Sequence, residues 1–192
     1  DITISAGSTT GTASFTPTND STYEGNETGI VAISGVSGAD AAEDGTQSVT
    51  ITITEDDSAP TVTLATSASS IAENAGSSLT LTATLSNPTT ADVTVGISTS
   101  GTGTEGTDYS TISDITISAG ATTGTASFTP TDDSIYEGNE TGIVAISTVS
   151  GGSATESGTQ TVTITITENE TAPVVDLSVS SSSITENSGS SI

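Results

Sequence analysis

The chain contains no lysine or arginine, no histidine, no cysteine, no methionine and no tryptophan. Each absence removes a class of chemistry. Without cysteine there is no disulfide, no zinc thiolate site and no thiol nucleophile. Without histidine there is no Ser-His-Asp relay and no imidazole metal ligand. Without lysine there is no Schiff base and no phosphate loop built on a lysine. Nucleic acid is excluded as a partner, because its binding depends on Lys and Arg neutralising phosphates. Anionic membrane surface is disfavoured for the same reason. No apolar run reaches the roughly 18 residues of a membrane helix, so no membrane insertion is expected. Paired carboxylates can cleave glycosides. With only three Tyr and two Phe, however, nothing points to an aromatic-lined sugar cleft, and no enzymatic activity is expected.

What remains is 24 acidic residues and a formal charge of -24 on 192 residues. The large aliphatics plus Phe sit just under the roughly 20% line below which a highly charged chain stays unfolded. Their strict patterning argues for order, provided that something neutralises the carboxylates. The chain opens on Asp1, with no initiator methionine and no signal segment, and reads as a piece of a longer molecule.

An internal repeat organises the sequence. Asn19-Asp20-Ser21-Thr22-Tyr23-Glu24-Gly25-Asn26-Glu27 returns as Asp132-Asp133-Ser134-Ile135-Tyr136-Glu137-Gly138-Asn139-Glu140, an offset of 113 residues. Asp1–Gly7 returns as Asp114–Gly120, Thr50–Glu55 as Thr163–Glu168, and Ile71–Gly76 as Ile184–Gly189, all at the same offset. Residues 1-58 read as the back part of one copy, 59-171 as a complete copy and 172-192 as the opening of the next. A unit of this size fits one β-sandwich domain.

Within 59-171 the apolar residues alternate with period two. Leu79, Leu81, Ala83 and Leu85 form one such run, Val93, Val95 and Ile97 a second, and Val162, Ile164 and Ile166 a third. Ile115 to Ile117 and Ala126 to Phe128 are shorter examples, and the runs at Val62–Leu64 and Ile143–Ile146 bring the total to about seven strands. No helical stripe appears. The expected fold is all-β, a tandem series of immunoglobulin-like antiparallel sandwiches. Phe128 and Tyr136 are the largest expected core residues, with Tyr109 as a third. Pro60 and Pro173 fix φ in the short junctions between copies, so a stiff rod is expected.

Hard cations such as Ca²⁺ take six to eight oxygen ligands, mostly carboxylate and carbonyl. Asp133, Glu137 and Glu140 offer three carboxylates on a short loop, with Gly138 for a sharp turn. Glu168 and Glu170 end the last strand, Glu73 lies in the turn after the first, and Asp108 lies in Gly106-Thr107-Asp108-Tyr109. Sandwich loops gather at the two ends, so these groups are expected to meet at one pole. Isolated acids such as Asp92 and Glu105 read instead as solvated loop residues. Asn19, Asn26, Asn139 and Asn169 open N-glycosylation triplets, which arise often by chance in Ser/Thr-rich sequence.

The complete copy resembles a Calx-β domain, the sandwich motif of sodium–calcium exchangers and of many large bacterial surface proteins. The resemblance is carried by Ser70–Gly76, Gly106–Tyr109, Asp132–Glu140 and Ile164–Glu170, in that order along the repeat. It implies Ca²⁺ as cofactor. It implies ligands at Glu73, Asp108, Asp133, Glu137, Glu140, Glu168 and Glu170, with Asp132 as neighbour. In the preceding copy the matches are Asp20, Glu24, Glu27, Glu55, Asp56 and Asp57, and Glu186 repeats Glu73 in the following one. Two departures stand out: the closing acidic triplet is Glu168-Asn169-Glu170, and Gly138 replaces an acid of the exchangers.

The function expected from these features is that of a calcium-stabilised structural repeat in an extracellular filament, matrix or adhesin. Its partners would be neighbouring repeats, other copies of itself or cell-surface ligands. The alternative is a Ca²⁺-sensing regulatory module like those of the exchangers.

Overall fold

Thr, Val and Ile alternate because β-branched side chains pack well on a pleated surface with one buried face. The computed structural model describes residues 1–189 and 191–192. Among these residues every regular element is a strand. β1 (Glu27–Ala32) and β2 (Ser48–Ile53) pair with each other, antiparallel. The other nine are β3 (Thr61–Thr66), β4 (Ser70–Ala72), β5 (Leu79–Leu85), β6 (Val93–Gly101), β7 (Ile115–Ile117), β8 (Thr123–Phe128), β9 (Glu140–Ser150), β10 (Thr155–Glu156) and β11 (Thr161–Thr167). They form two sheets, in the orders β10-β3-β5-β8 and β4-β11-β9-β6-β7.

Seven of these nine are the strands expected from periodicity. The two additions, β4 and β10, are too short to show a period. Both pair parallel and cover what would otherwise be open edges, β4 along β11 and β10 along β3. The first apolar run therefore does not end in a turn before Glu73. It crosses from one sheet to the other through Ser67–Ser69. There Ser67 donates its N–H to the Thr80 carbonyl at 2.9 Å, and the Ser69 carbonyl accepts from Thr165 N–H at 2.9 Å.

The inward faces supply the core: Val62, Leu64, Leu81 and Leu85 from one sheet, Val93, Val95, Ile115, Ile117, Val144, Ile164 and Ile166 from the other. Phe128 and Tyr109 are fully buried and stack, with ring centroids 4.6 Å apart and planes at 22°. The expectation for Tyr136 fails. It is 46% exposed, because it lies in the loop between β8 and β9, outside both sheets. Tyr109 takes the place expected of it, held over the core by its bridges to Glu105 and Pro130.

The sheet of β1 and β2 repeats the register of β9 and β11. Glu27 faces Ile53 as Glu140 faces Ile166, and Val31 faces Val49 as Val144 faces Val162. Val31 is half exposed where Val144 is fully buried, since no strands equivalent to β3 and β5 cover it among the described residues. Among the described residues after β11 there is no strand.

Gly142 lies against the stacked rings, where an added Cβ would sit 2.7 Å from Phe128 Cε2. Gly142→Ala is therefore expected to destabilise the sandwich by about 1–3 kcal/mol, a typical overpacking cost. Phe128→Ala should cost about 3–5 kcal/mol, while Tyr136→Ala should stay within about 0.5 kcal/mol. Urea unfolding midpoints check all three.

Candidate metal centre at the acidic pole

Strand direction assembles the pole. β4 and β11 run parallel, with Ala72 beside Thr167, so both chains leave the sheet at the same end. Glu73 follows one and Glu168 the other, and Glu73 N–H donates to the Thr167 carbonyl at 3.0 Å. β9 runs antiparallel to β11 and starts there, with Glu140 opposite Ile166. The loop carrying Asp108 is stitched to the chain after β8, since Thr131 N–H donates to the Asp108 carbonyl at 2.9 Å.

Two groups of carboxylates result. Glu73, Glu168 and Glu170 bring one oxygen each within 4.8 Å of one another, and so do Asp108, Glu137 and Glu140. Asp133 and Asp132 flank the first group. Asp133 N–H approaches Glu73 Oε1 at 3.4 Å, and the Asp132 charge acts on Glu170. Neither belongs to a three-carboxylate group among the described residues. In the preceding copy Glu55, Asp56 and Asp57 form a third group. With Asp20, Glu24 and Glu27 they line a small open pocket of about 40 Å³. Glu186 is exposed in a turn and joins no such group among the described residues, with no sheet around it to gather other acids.

Glu168 organises the larger pole. Its Oε2 accepts N–H bonds from Glu137 (2.6 Å) and Gly138 (2.8 Å), and its Oε1 accepts from Asn169 and Glu170, both at 2.9 Å. Gly138 sits at φ 80°, a left-handed conformation that glycine adopts without strain and that aims its N–H at Glu168. The backbone N–H bonds, that of Glu170 foremost, hold Glu168 down at a pKa of about 2. Glu170 moves the opposite way, to about 6, through its approach to the Glu168 carboxylate first and then burial. Burial is the leading cause of the upward shifts of Glu73, Glu137 and Glu140, with neighbouring carboxylates adding to each. Oε2 of Glu170 is buried with no hydrogen-bond partner among the described residues.

The earlier copy shows the same construction. Glu24 and Gly25 N–H groups donate to Glu55 Oε2 at 2.6 and 2.7 Å. Backbone N–H groups, that of Asp57 first, hold Glu55 low, while Glu27 pushes Glu24 up.

Sequence reasoning missed the asparagines as structural groups. Asn139 Oδ1 accepts from Glu168 N–H at 3.0 Å, and Asn26 Oδ1 from Glu55 N–H at 2.9 Å. The available signal was that each precedes the last acid of its loop in both copies. Asp92 and Glu105 are not merely solvated. Asp92 accepts from Ala119 N–H at 2.8 Å, and Glu105 from Ile112 N–H and Thr99 Oγ1, both at 2.7 Å.

A two-sheet sandwich of this topology, with its acids collected where strands enter and leave one end, is an immunoglobulin-like module with an anionic pole. The chain belongs to the Calx-beta domain family, which matches residues 55–170. Among solved structures it is similar to the apo form of the Calx CBD1 domain, at 16% identity and a TM-score of 0.47, covering 58% of this chain and 98% of that one. It is also similar to CBD12 from CALX1.2, at 15% identity and a TM-score of 0.47, covering 56% of this chain and 44% of that one. No curated protein matches the chain.

The pKa shifts give stability a pH dependence. A carboxyl raised in the folded state binds its proton more tightly folded than unfolded. With a chelator present, stability is therefore expected to rise as pH falls from neutrality through about 6, where Glu170 takes up its proton, towards its ordinary 4.5. Glu168 acts with the opposite sign: its contribution is present above 4.5 and is lost as pH drops towards about 2. A bell-shaped curve of urea midpoint against pH is the expected result.

Proposed function

We propose that this chain is a Ca²⁺-binding module that acts through binding, without catalysis. The observation carrying the reading is the pair of three-carboxylate groups at one pole of a chain with no basic side chain to neutralise them. The donor set fits the ion. It is entirely oxygen, which suits Ca²⁺ or Mg²⁺ over the metals that prefer imidazole or thiolate, and the buried Glu170 Oε2 has no hydrogen-bond partner among the described residues. Glu73, Glu168 and Glu170, with Asp132 and Asp133 beside them, would hold one ion; Asp108, Glu137 and Glu140 would hold another. Asp20, Glu24, Glu27, Glu55, Asp56 and Asp57 would serve the preceding copy. The ion supplies positive charge, which converts repulsion between loops into attraction.

Membership of the Calx-beta family supports the role of a Ca²⁺-responsive regulatory module. The structural reading has its own support in the 113-residue repeat and in the identical register of β1–β2 and β9–β11. In that reading the chain is an extracellular or cell-surface spacer whose partners are neighbouring repeats. Affinity separates the two. Sensors bind Ca²⁺ at about 10⁻⁷–10⁻⁵ M and extracellular modules at about 10⁻⁴–10⁻³ M. Isothermal titration is expected to give the tighter range, with a change in loop amide shifts on binding; a millimolar constant would transfer the assignment to the spacer.

Ca²⁺ at a hundred times its Kd is expected to add about 2.7 kcal/mol per site, raising Tm by roughly 10 °C or more for a domain of this size. EDTA should reverse the rise. A melting temperature indifferent to both additions would remove the ion from the account.

A further inference from the structure

The first acidic loop does not end in solvent. Tyr23 N–H donates to the Pro88 carbonyl at 2.9 Å, and Tyr23 forms a parallel bridge with Thr89. The receiving turn, Ser86–Thr89, belongs to the sandwich that follows. It is firmly placed: Asn87 Nδ2 donates to the Ser58 carbonyl at 2.9 Å, the Thr89 carbonyl accepts from Gly120 N–H at 2.9 Å, and Thr89 is 2% exposed.

The second acidic loop presents the same backbone with no equivalent bridge among the described residues. Its internal bonds reproduce those of the first: Asp133 Oδ1 accepts from Ile135 N–H at 2.6 Å where Asp20 Oδ1 accepts from Thr22 N–H at 2.7 Å. Gly138 and Gly25 share a left-handed φ, at 80° and 76°. The loop thus holds its docked shape without a partner. Tyr136 N–H, counterpart of the Tyr23 donor, meets no acceptor among the described residues, and Ile135 and Tyr136 together expose an apolar face.

The occupant is indicated by the chain beyond β11. Ala172-Pro173 repeats Ala59-Pro60, and Val175 and Leu177 stand where Val62 and Leu64 stand in the sandwich. Val62 and Leu64 are core residues, yet Val175 and Leu177 are 96% and 98% exposed. The sequence after β11 therefore repeats the opening of the sandwich.

We propose that Ile135 and Tyr136 form a docking surface for a further copy of this sandwich, head to tail, with Tyr136 N–H donating to that copy's Pro88 carbonyl. The contact sets the orientation of successive sandwiches through backbone pairing, which is tolerant of side-chain change but strict in direction. It does not depend on whether the pole holds Ca²⁺.

The full-length chain tests this in trans. In the native chain Tyr23 occupies the turn, so increasing protein concentration should leave amide shifts unchanged. Tyr23→Pro removes the donor and frees the turn. Its spectra are expected to show concentration-dependent shifts at residues 135–137 and 86–89 together, which the double variant with Tyr136→Pro loses. Tyr23→Gly keeps the backbone N–H, so it should stay docked and show no such concentration dependence. Unchanged amide shifts at Tyr109 and Phe128 verify the fold of each variant. Shifts absent from Tyr23→Pro, present in Tyr23→Gly, or surviving in the double variant overturn the proposal.

Discussion

Four backbone N–H groups converge on the Glu168 carboxylate, two from the loop before β9 and two from its own segment after β11. A carboxylate with that many donors stays ionised well below the ordinary range. It therefore holds the loop of Glu137 and Gly138 against the end of the last strand before any cation is considered. The cost falls on the neighbours. Glu73, Glu137, Glu140 and Glu170 face a permanent negative charge, lose part of their hydration at the crowded pole, and all are pushed towards protonation. The pole is thus held in shape by one carboxylate and left electrically incomplete by the others.

The sandwich beneath it makes that arrangement possible. The crossing of the first apolar run between sheets brings Glu73 alongside Glu168, because a parallel partner shares its exit with the strand it follows. The aromatic stack of Tyr109 on Phe128 sits under the same loops, and it reaches there because Gly142 leaves room for the Phe128 ring. A small core and a highly charged end are compatible here because the charges project beyond the sheets.

Much of this was legible in the residues. Period-two alternation located seven strands, and the returning segments placed the acids at loop positions. Acids expected to meet did so at Glu73, Glu168 and Glu170 and at Asp108, Glu137 and Glu140. Three features were not legible. β4 and β10 are too short to carry a period. Tyr136 looks like a core residue by type, and only the path of its loop leaves it outside. Asn139 and Asn26 resemble glycosylation acceptors by triplet, while their carbonyls are committed to the backbone of Glu168 and Glu55.

The sequence by itself determined the seven periodic strands, the repeat and an excess of negative charge that no side chain of this chain can neutralise, since these follow from residue type and spacing alone. Which carboxylates share a group was decided only by the tertiary structure. That outcome depends on strand direction and sheet order, and residues 95 positions apart, such as Glu73 and Glu168, become neighbours only when parallel pairing brings β4 beside β11.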